Sequence, residues 1–118
     1  IENKNDFGVF ALLPVDAKSL DNARRFTLIH LTNTQATGME FATKDCDRLE
    51  NWGKAPFLAQ HGIAKVTLNL KGEWKAYALN CAGERIGSLP VTEENGKHIL
   101  NLDNFAFPEA VFAYELER

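Results

Sequence analysis

Apolar and polar residues alternate along much of the second half of the chain. The clearest segment is IAKVTLNL, residues 63–70, in which one set of alternating positions is Ala64, Val66, Leu68 and Leu70. Successive side chains of a strand point to opposite faces of a sheet, so this pattern predicts a strand with one buried face. WKAYALN, residues 74–80, follows after the short turn KGE, and we expect the two segments to pair as a hairpin.

Three further segments of the second half have similar patterns. The turn CAGE, residues 81–84, leads into RIGSLP and predicts a hairpin with the preceding strand. The turn EENG, residues 93–96, precedes KHILNL, and the chain closes with EAVFAYELE, residues 109–117. In this last segment we expect one face to carry Ala110, Phe112, Tyr114 and Leu116, and the other to carry Val111, Ala113 and Glu115.

The first half of the chain is less regular. FGVFALLP, residues 7–14, is apolar at both alternating sets of positions. This predicts either a central strand covered on both faces or a strand whose outer face meets another domain. The spacing in DAKSLDNARR, residues 16–25, predicts one or two helical turns, with Ser19 or Asp21 as a cap and Leu20 pointing inward. RFTLIHLTN then predicts a strand.

Short strands at even intervals, with little helix between them, predict an all-β fold. We expect an antiparallel, immunoglobulin-like β-sandwich of about seven to eight strands. The 118 residues match the length of one domain, so residues 1–118 are expected to form a single sandwich. Because the chain begins at Ile1 without an initiator Met, we expect it to be a processed product or an excised piece of a longer protein.

Charge and hydropathy narrow the range of partners. The formal net charge is -3 and the Lys and Arg residues are scattered, so we expect no nucleic acid partner. No apolar run approaches the ~20 residues that cross a bilayer, so we expect no membrane span. Cys46 and Cys81 allow either one disulfide or two free thiols, and small thiols that are buried or half-buried are the commoner arrangement.

The residue types of common catalytic sites form no recognisable pattern. His30, His61 and His98 lie far apart in the sequence and predict no metal site. Asp and Glu concentrate in turns, which is typical of a solvated surface rather than of a glycosidase carboxylate pair. Neither cysteine adjoins a histidine, and neither a Gly-x-Ser-x-Gly elbow nor a glycine-rich phosphate loop is present. The sequence therefore predicts a non-catalytic chain without a cofactor.

Aromatic side chains are the remaining candidates for a binding site, because flat rings stack on the apolar faces of sugars. Trp52 lies in the segment LENWGKAP, where both packing against another domain and stacking on a ligand are open to it. Trp74 and Tyr77 lie on one predicted strand and face opposite sides, and we expect Trp74 in the core. Trp52 and Tyr77 are therefore the candidates for contact with carbohydrate.

Several motifs have a recognisable order along the chain: VDAKSLDNARRFTLIHLTNTQATGMEFA, NWGKAPFLAQHGIAKVTL, WKAYALNCAGERIGSLPV and VFAYELE. They include Thr37, Gly38, Met39 and Phe41 in the first motif, and Trp52, Gly53 and Pro56 in the second. Together they resemble the C-terminal β-sandwich accessory domain of bacterial glycoside hydrolases that have a TIM-barrel catalytic domain.

The resemblance implies a non-catalytic domain from the C-terminus of a larger enzyme, with the catalytic domain of the same polypeptide as its partner. It also implies a periplasmic or extracellular location. LTNTQATGMEFA, residues 31–42, would then be a connection leaving a core strand, with Gly38 in a backbone conformation barred to other residues. Met39 and Phe41 would fill the gap between the sheets or contact the barrel. The alternatives are a carbohydrate-binding module that uses Trp52 and Tyr77, and an adhesion or scaffold sandwich.

Overall fold

A computed structural model describes residues 1–16 and 19–118, which contain eleven β-strands and no helix. The strands are β1 (Glu2–Asn3), β2 (Val9–Pro14), β3 (Arg25–Leu31), β4 (Thr34–Phe41), β5 (Leu49–Ala59), β6 (Ile63–Leu68), β7 (Lys75–Leu79), β8 (Arg85–Leu89), β9 (Val91–Glu94), β10 (Lys97–Asp103) and β11 (Ala113–Glu117).

The strands form three antiparallel sheets. One sheet has four strands in the order β1-β6-β10-β9, and a second has five strands in the order β2-β3-β11-β7-β8. Strands β4 and β5 form a separate two-stranded ribbon. The predicted all-β, antiparallel class is confirmed. The strand number exceeds the predicted seven to eight, and the additional strands include β4, which was predicted to be a connection.

The four-stranded and five-stranded sheets share one hydrophobic core. The four-stranded sheet contributes Val66, Leu100 and Leu102, and the five-stranded sheet contributes Phe26, Leu28, Ala76, Ala78, Tyr114 and Leu116. Trp74 is buried against Phe26, as predicted for the core. Two sheets that bury their inner faces against each other are consistent with a β-sandwich.

One of the two predicted hairpins is confirmed and the other is wrong, and the predicted turn EENG joins a further pair of strands. Strands β7 and β8 pair, and β9 and β10 pair across a turn in which Asn95 and Gly96 both have positive φ. Strand β6 does not pair with β7, because β6 lies in the four-stranded sheet and β7 in the five-stranded sheet. Val66 of β6 and Ala76 of β7 are nevertheless buried in the same core.

The two predictions for the N-terminal segments also need correction. Strand β2 is an edge strand of the five-stranded sheet, so a central strand covered on both faces is excluded. Residues 19–22 form a turn rather than a helix, and Leu20 is 51% exposed instead of pointing inward. A single turn closed by the Ser19 carbonyl leads directly into β3. Residues 17 and 18 of the predicted helical segment lie outside the described residues.

The closing strand and the cysteines differ from expectation in part. Tyr114 and Leu116 lie on the same face as predicted, and both are buried, but strand β11 begins only at Ala113, and Val111 is buried before the alternation starts. Cys46 and Cys81 are both free and both exposed, so the expectation that they would be buried or half-buried is wrong. Both lie in turns between strands, where no sheet covers them.

Candidate functional site

The ribbon of β4 and β5 is built from two segments that the sequence did not predict as strands. Residues 31–42 contain β4, and the segment that carries Trp52 is β5. Their pairing includes shifts of register, and neither strand pairs with a third. The prediction of a connection failed because β4 has no regular alternation and meets its partner only after the turn at residues 42–48.

Two glycines of the ribbon have a positive φ, and at one of them, Gly53, the strands also approach closely. Gly38 has φ +74°, which confirms the predicted conformation at this position. Gly53, on the facing strand, has φ +68°, and a Cβ there would lie 2.6 Å from the carbonyl oxygen of Thr37 and 2.7 Å from the amide nitrogen of Met39. A side chain at Gly53 would therefore push the two strands apart.

The ribbon carries an apolar surface that includes three of the predicted site residues. Met39 is directly opposite Trp52, and Phe41 is directly opposite Leu49. Side chains of directly opposed residues lie on the same face of a strand pair. Met39 and Phe41 are half-buried, but Trp52 is 80% exposed. Trp52 therefore presents its ring to solvent from a fixed position on a strand.

A groove of about 340 Å³ lies at the base of the ribbon, beside Met39. Its lining consists of Asn33, Gln35, Ala36, Gly38, Met39, Leu58, Ala59 and Gln60. None of these side chains is ionisable. The groove thus combines three amide side chains with the apolar surface of Met39 and Leu58.

Tyr77 does not belong to this site. It lies on β7 in the five-stranded sheet, on the face opposite to that of Trp74, as the alternation predicted. The guanidinium carbon of Arg85 lies 3.9 Å from the centre of the Tyr77 ring. Because a cation covers one face of the ring, Tyr77 is a poor platform for a ligand.

Buried Asn104 connects the two ends of the ribbon at its base. The first root of the ribbon is residues 32–33, which precede β4, and the second root is residues 60–62, which follow β5. The Oδ1 atom of Asn104 accepts a hydrogen bond from the Gly62 amide at 2.7 Å, and its Nδ2 atom donates to the Gln60 carbonyl at 3.0 Å. Thr32 Oγ1 also donates to the Gln60 carbonyl, at 2.7 Å. No local sequence signal marks Asn104, because its partners Gly62 and Gln60 lie more than 40 positions away.

A second candidate surface lies on the outer face of the five-stranded sheet. Ala11, Ile29, Ala113 and Leu79 are consecutive cross-strand partners, and Val9 and Leu31 form a neighbouring pair. These six residues are named here the outer apolar band. A hollow of about 260 Å³, lined in part by Phe112, Ala113 and Leu79, adjoins it. The apolar outer positions of residues 7–14 were the sequence signal for this surface.

A cluster of charges borders the outer apolar band. The Glu115 carboxylate accepts hydrogen bonds from Arg25 and from Arg85. The Nε atom of Arg85 lies 2.7 Å from Glu115 Oε2, and Arg85 also donates to the Glu117 carboxylate. The hydrogen bond from Arg85 lowers the pKa of Glu115, and that from Arg25 adds to this effect, while burial opposes it. The carboxylate therefore stays ionised between its two partners and is unsuited to act as a proton donor.

Residues 1–16 and 19–118 contain no group of three or more His, Cys, Asp or Glu side chains arranged to hold a metal ion. In the same residues, no helix has the length and hydropathy to cross a membrane.

The chain matches no protein-family model, no curated protein and no solved structure.

Proposed function

We propose that the chain is a non-catalytic, immunoglobulin-like accessory domain that packs against the catalytic domain of a secreted glycoside hydrolase. The class of enzyme, the C-terminal position and the periplasmic or extracellular location rest on the sequence motifs described above. The observation that carries the docking role is the outer apolar band on the five-stranded sheet. Docking would stabilise the catalytic domain and orient the ribbon relative to it.

The outer apolar band has the properties of an interface between domains. The outer face of an antiparallel sheet is usually polar, because only the inner face is packed. Here Val9 and Leu31 are exposed beside half-buried Ile29 and Leu79. Contiguous exposed apolar surface marks sites of interaction, and interfaces between domains of one chain cover roughly 600–1,500 Å².

The neighbouring charges support the same role. Interfaces generally have an apolar centre and a polar rim. Glu115, held by Arg25 and Arg85, lies two residues along β11 from Ala113 of the band and on the same face of the sheet. These charges neutralise one another, so they can border a docked domain without leaving an unpaired charge at its edge.

The docking surface is tested by binding of the dye ANS to the 118-residue chain and by analytical ultracentrifugation over a range of concentrations. We expect ANS fluorescence or reversible self-association, because the band is uncovered in the isolated chain. Leu31→Lys should reduce both signals. Ser88→Lys, an exposed position on the polar part of the same outer face, is the matched control and should leave them unchanged. A strictly monomeric chain that binds no ANS would contradict the proposal.

The parent enzyme is tested with the natural polypeptide that contains the chain. We expect that polypeptide to hydrolyse glycosidic bonds, and we expect the amides of β2 to exchange hydrogen more slowly in it than in the 118-residue chain. Strand β2 is one of the two edge strands of the sheet and would be covered by the catalytic domain. Equal exchange rates would argue against docking through this face, and absence of glycosidase activity would argue against the enzyme class.

A further inference from the structure

We propose that the ribbon binds a neutral saccharide, with Trp52 as the stacking platform and the groove beside Met39 as the site for the hydroxyl groups. This site lies on the ribbon, whereas the outer apolar band lies on the five-stranded sheet. The proposal therefore does not depend on the docking role.

Trp52 has the exposure and the fixed position that a stacking platform needs. Its side chain is 80% exposed, while its backbone is held in β5 opposite Met39. A large flat ring buries much apolar area and loses few rotameric states on binding. Sugar rings present a flat set of C–H groups to such a surface, and Met39, half-buried beside Trp52, extends the apolar floor toward the groove.

The groove supplies hydrogen-bonding groups that are not already used by the protein. The hydrogen bonds of Asn33 and Gln60 within the described residues involve their main-chain groups only, and the side chain of Gln35 forms none. Each free amide side chain offers two N–H donors and one carbonyl acceptor. Saccharide hydroxyls both donate and accept, so three amides arranged around one groove match their chemistry.

The absence of ionisable side chains in the groove determines which polar ligands it favours. None of its eight lining side chains is ionisable, and its volume of about 340 Å³ lies within the roughly 300–1,000 Å³ of small-molecule sites. A phosphate or carboxylate would lose its water there without gaining a counter-charge. Lys54, opposite Thr37 on the ribbon, is exposed and does not line the groove. The arrangement favours an uncharged ligand with many hydroxyls.

The test titrates the 118-residue chain with four neutral hexasaccharides (cello-, xylo-, manno- and laminari-oligosaccharide) and with hexagalacturonate as the acidic comparison. Calorimetry and ¹H–¹⁵N NMR report affinity and location. We expect at least one neutral sugar to give saturable shifts of the Trp52 indole N–H and of the side-chain NH₂ groups of Asn33, Gln35 and Gln60. Hexagalacturonate should give none.

Two variants of the ribbon test whether binding requires Trp52 in particular or any exposed aromatic side chain of the ribbon. Trp52→Ala should weaken binding by about tenfold or more, as for aromatic side chains that anchor an interface. Phe57 is the matched control, since it is 77% exposed on the same strand. It does not line the groove. Phe57→Ala should therefore retain binding.

Four results would overturn the proposal. The first is a folded chain that shows no shifts with any neutral sugar, and the second is an equal loss of affinity from Trp52→Ala and Phe57→Ala. The third is a set of shifts produced by hexagalacturonate alone, and the fourth is a shift of the Trp52 signal that depends on protein concentration without sugar. The third result would assign the surface around Lys54 to an acidic ligand. The fourth would show that a second copy of the chain covers Trp52. The docking test described above remains distinguishable from these results, because it is read from the change that Leu31→Lys causes and not from self-association alone.

Discussion

His30 is a buried residue whose two ring nitrogens have no hydrogen-bond partner among the described residues. Its side chain is 0% exposed, and neither Nδ1 nor Nε2 forms a hydrogen bond. The ring stacks on Phe10 at 4.7 Å between centroids, and a Cβ at Gly62 would lie 3.0 Å from its Cε1 atom. Burial lowers the pKa of His30, because a charged imidazolium would lose its water without a compensating charge.

This environment predicts that acid destabilises the fold through His30. The folded chain keeps the imidazole neutral, whereas the unfolded chain binds a proton below its ordinary pKa of about 6.5. The unfolded state then holds more protons, so the free energy of unfolding falls as pH decreases below about 6.5, down to the lowered folded pKa.

The measurement is urea unfolding at pH 7.5 and pH 5.0 for the natural chain and for His30→Phe. The Phe ring preserves the stacking on Phe10 and cannot bind a proton. We expect the natural chain to lose more stability between the two pH values than the variant does. Equal losses would show that His30 does not couple protonation to folding.

The sequence could predict that His30 is buried, but it could not predict that the ring nitrogens of His30 have no hydrogen-bond partners. The alternation in RFTLIHL places His30 on the same side as Phe26 and Leu28, both of which are buried. What surrounds the imidazole is set by Phe10 and Gly62, which come from strand β2 and from the far root of the ribbon. A local pattern carries no information about such distant contacts.

At the scale of elements, a single side chain fixes where the ribbon leaves the two main sheets. Asn104 follows β10 and bonds Gly62 and Gln60 at the second root, while Thr32 at the first root bonds the same Gln60 carbonyl. The Gln60 amide in turn donates to the Asn33 carbonyl at 2.8 Å. These bonds close the ribbon at its base.

Removal of the Asn104 side chain should lower the free energy of unfolding. Asn104→Ala leaves the buried Gly62 amide without its acceptor and weakens the bonding of the Gln60 carbonyl. We expect a loss of about 2–4 kcal/mol in the free energy of unfolding, since each unsatisfied buried group costs roughly 1–3 kcal/mol. Chemical unfolding monitored by circular dichroism measures it.

Asn101→Ala is the matched control for this variant. Asn101 is an exposed Asn on β10, where substitution should change stability by less than about 0.5 kcal/mol. Similar values for the two variants would contradict the role of Asn104 as an anchor.

The same scale shows which parts of the fold the sequence could predict. The period of two identified the strands β6, β7 and β10 and the inward face of β6, because alternation depends only on neighbouring residues. It could not identify β6 and β7 as members of different sheets, since a strand pattern specifies a buried face and not a partner. It also missed β4, because Gly38 interrupts the strand with a positive φ and its partner lies beyond a long turn.

For the whole molecule, the main division lies between the shared core and the ribbon. The molecule measures 50 × 27 × 26 Å along its principal axes. The core cluster within the described residues contains no residue between positions 34 and 59. Sequence reasoning singled out Trp52 and Met39 but could not assemble their site, because the groove also requires Asn33 and Gln60 from the two roots.

The core should therefore fold without the ribbon. Replacement of residues 34–59 by Asn-Gly joins Asn33 to Gln60, whose main chains are already hydrogen-bonded, and Asn-Gly favours the tight turn of a two-residue hairpin. We expect the melting temperature to change by less than about 5 °C, which corresponds to roughly 1 kcal/mol for a domain of this size. NMR shifts of the amides in β6, β10 and β11 should be preserved, while the proposed saccharide site is lost. An unfolded or aggregated product would contradict this prediction and would mean that the core needs the ribbon for its stability. The dependence in the other direction is expected, because an isolated two-stranded ribbon is only marginally stable in water.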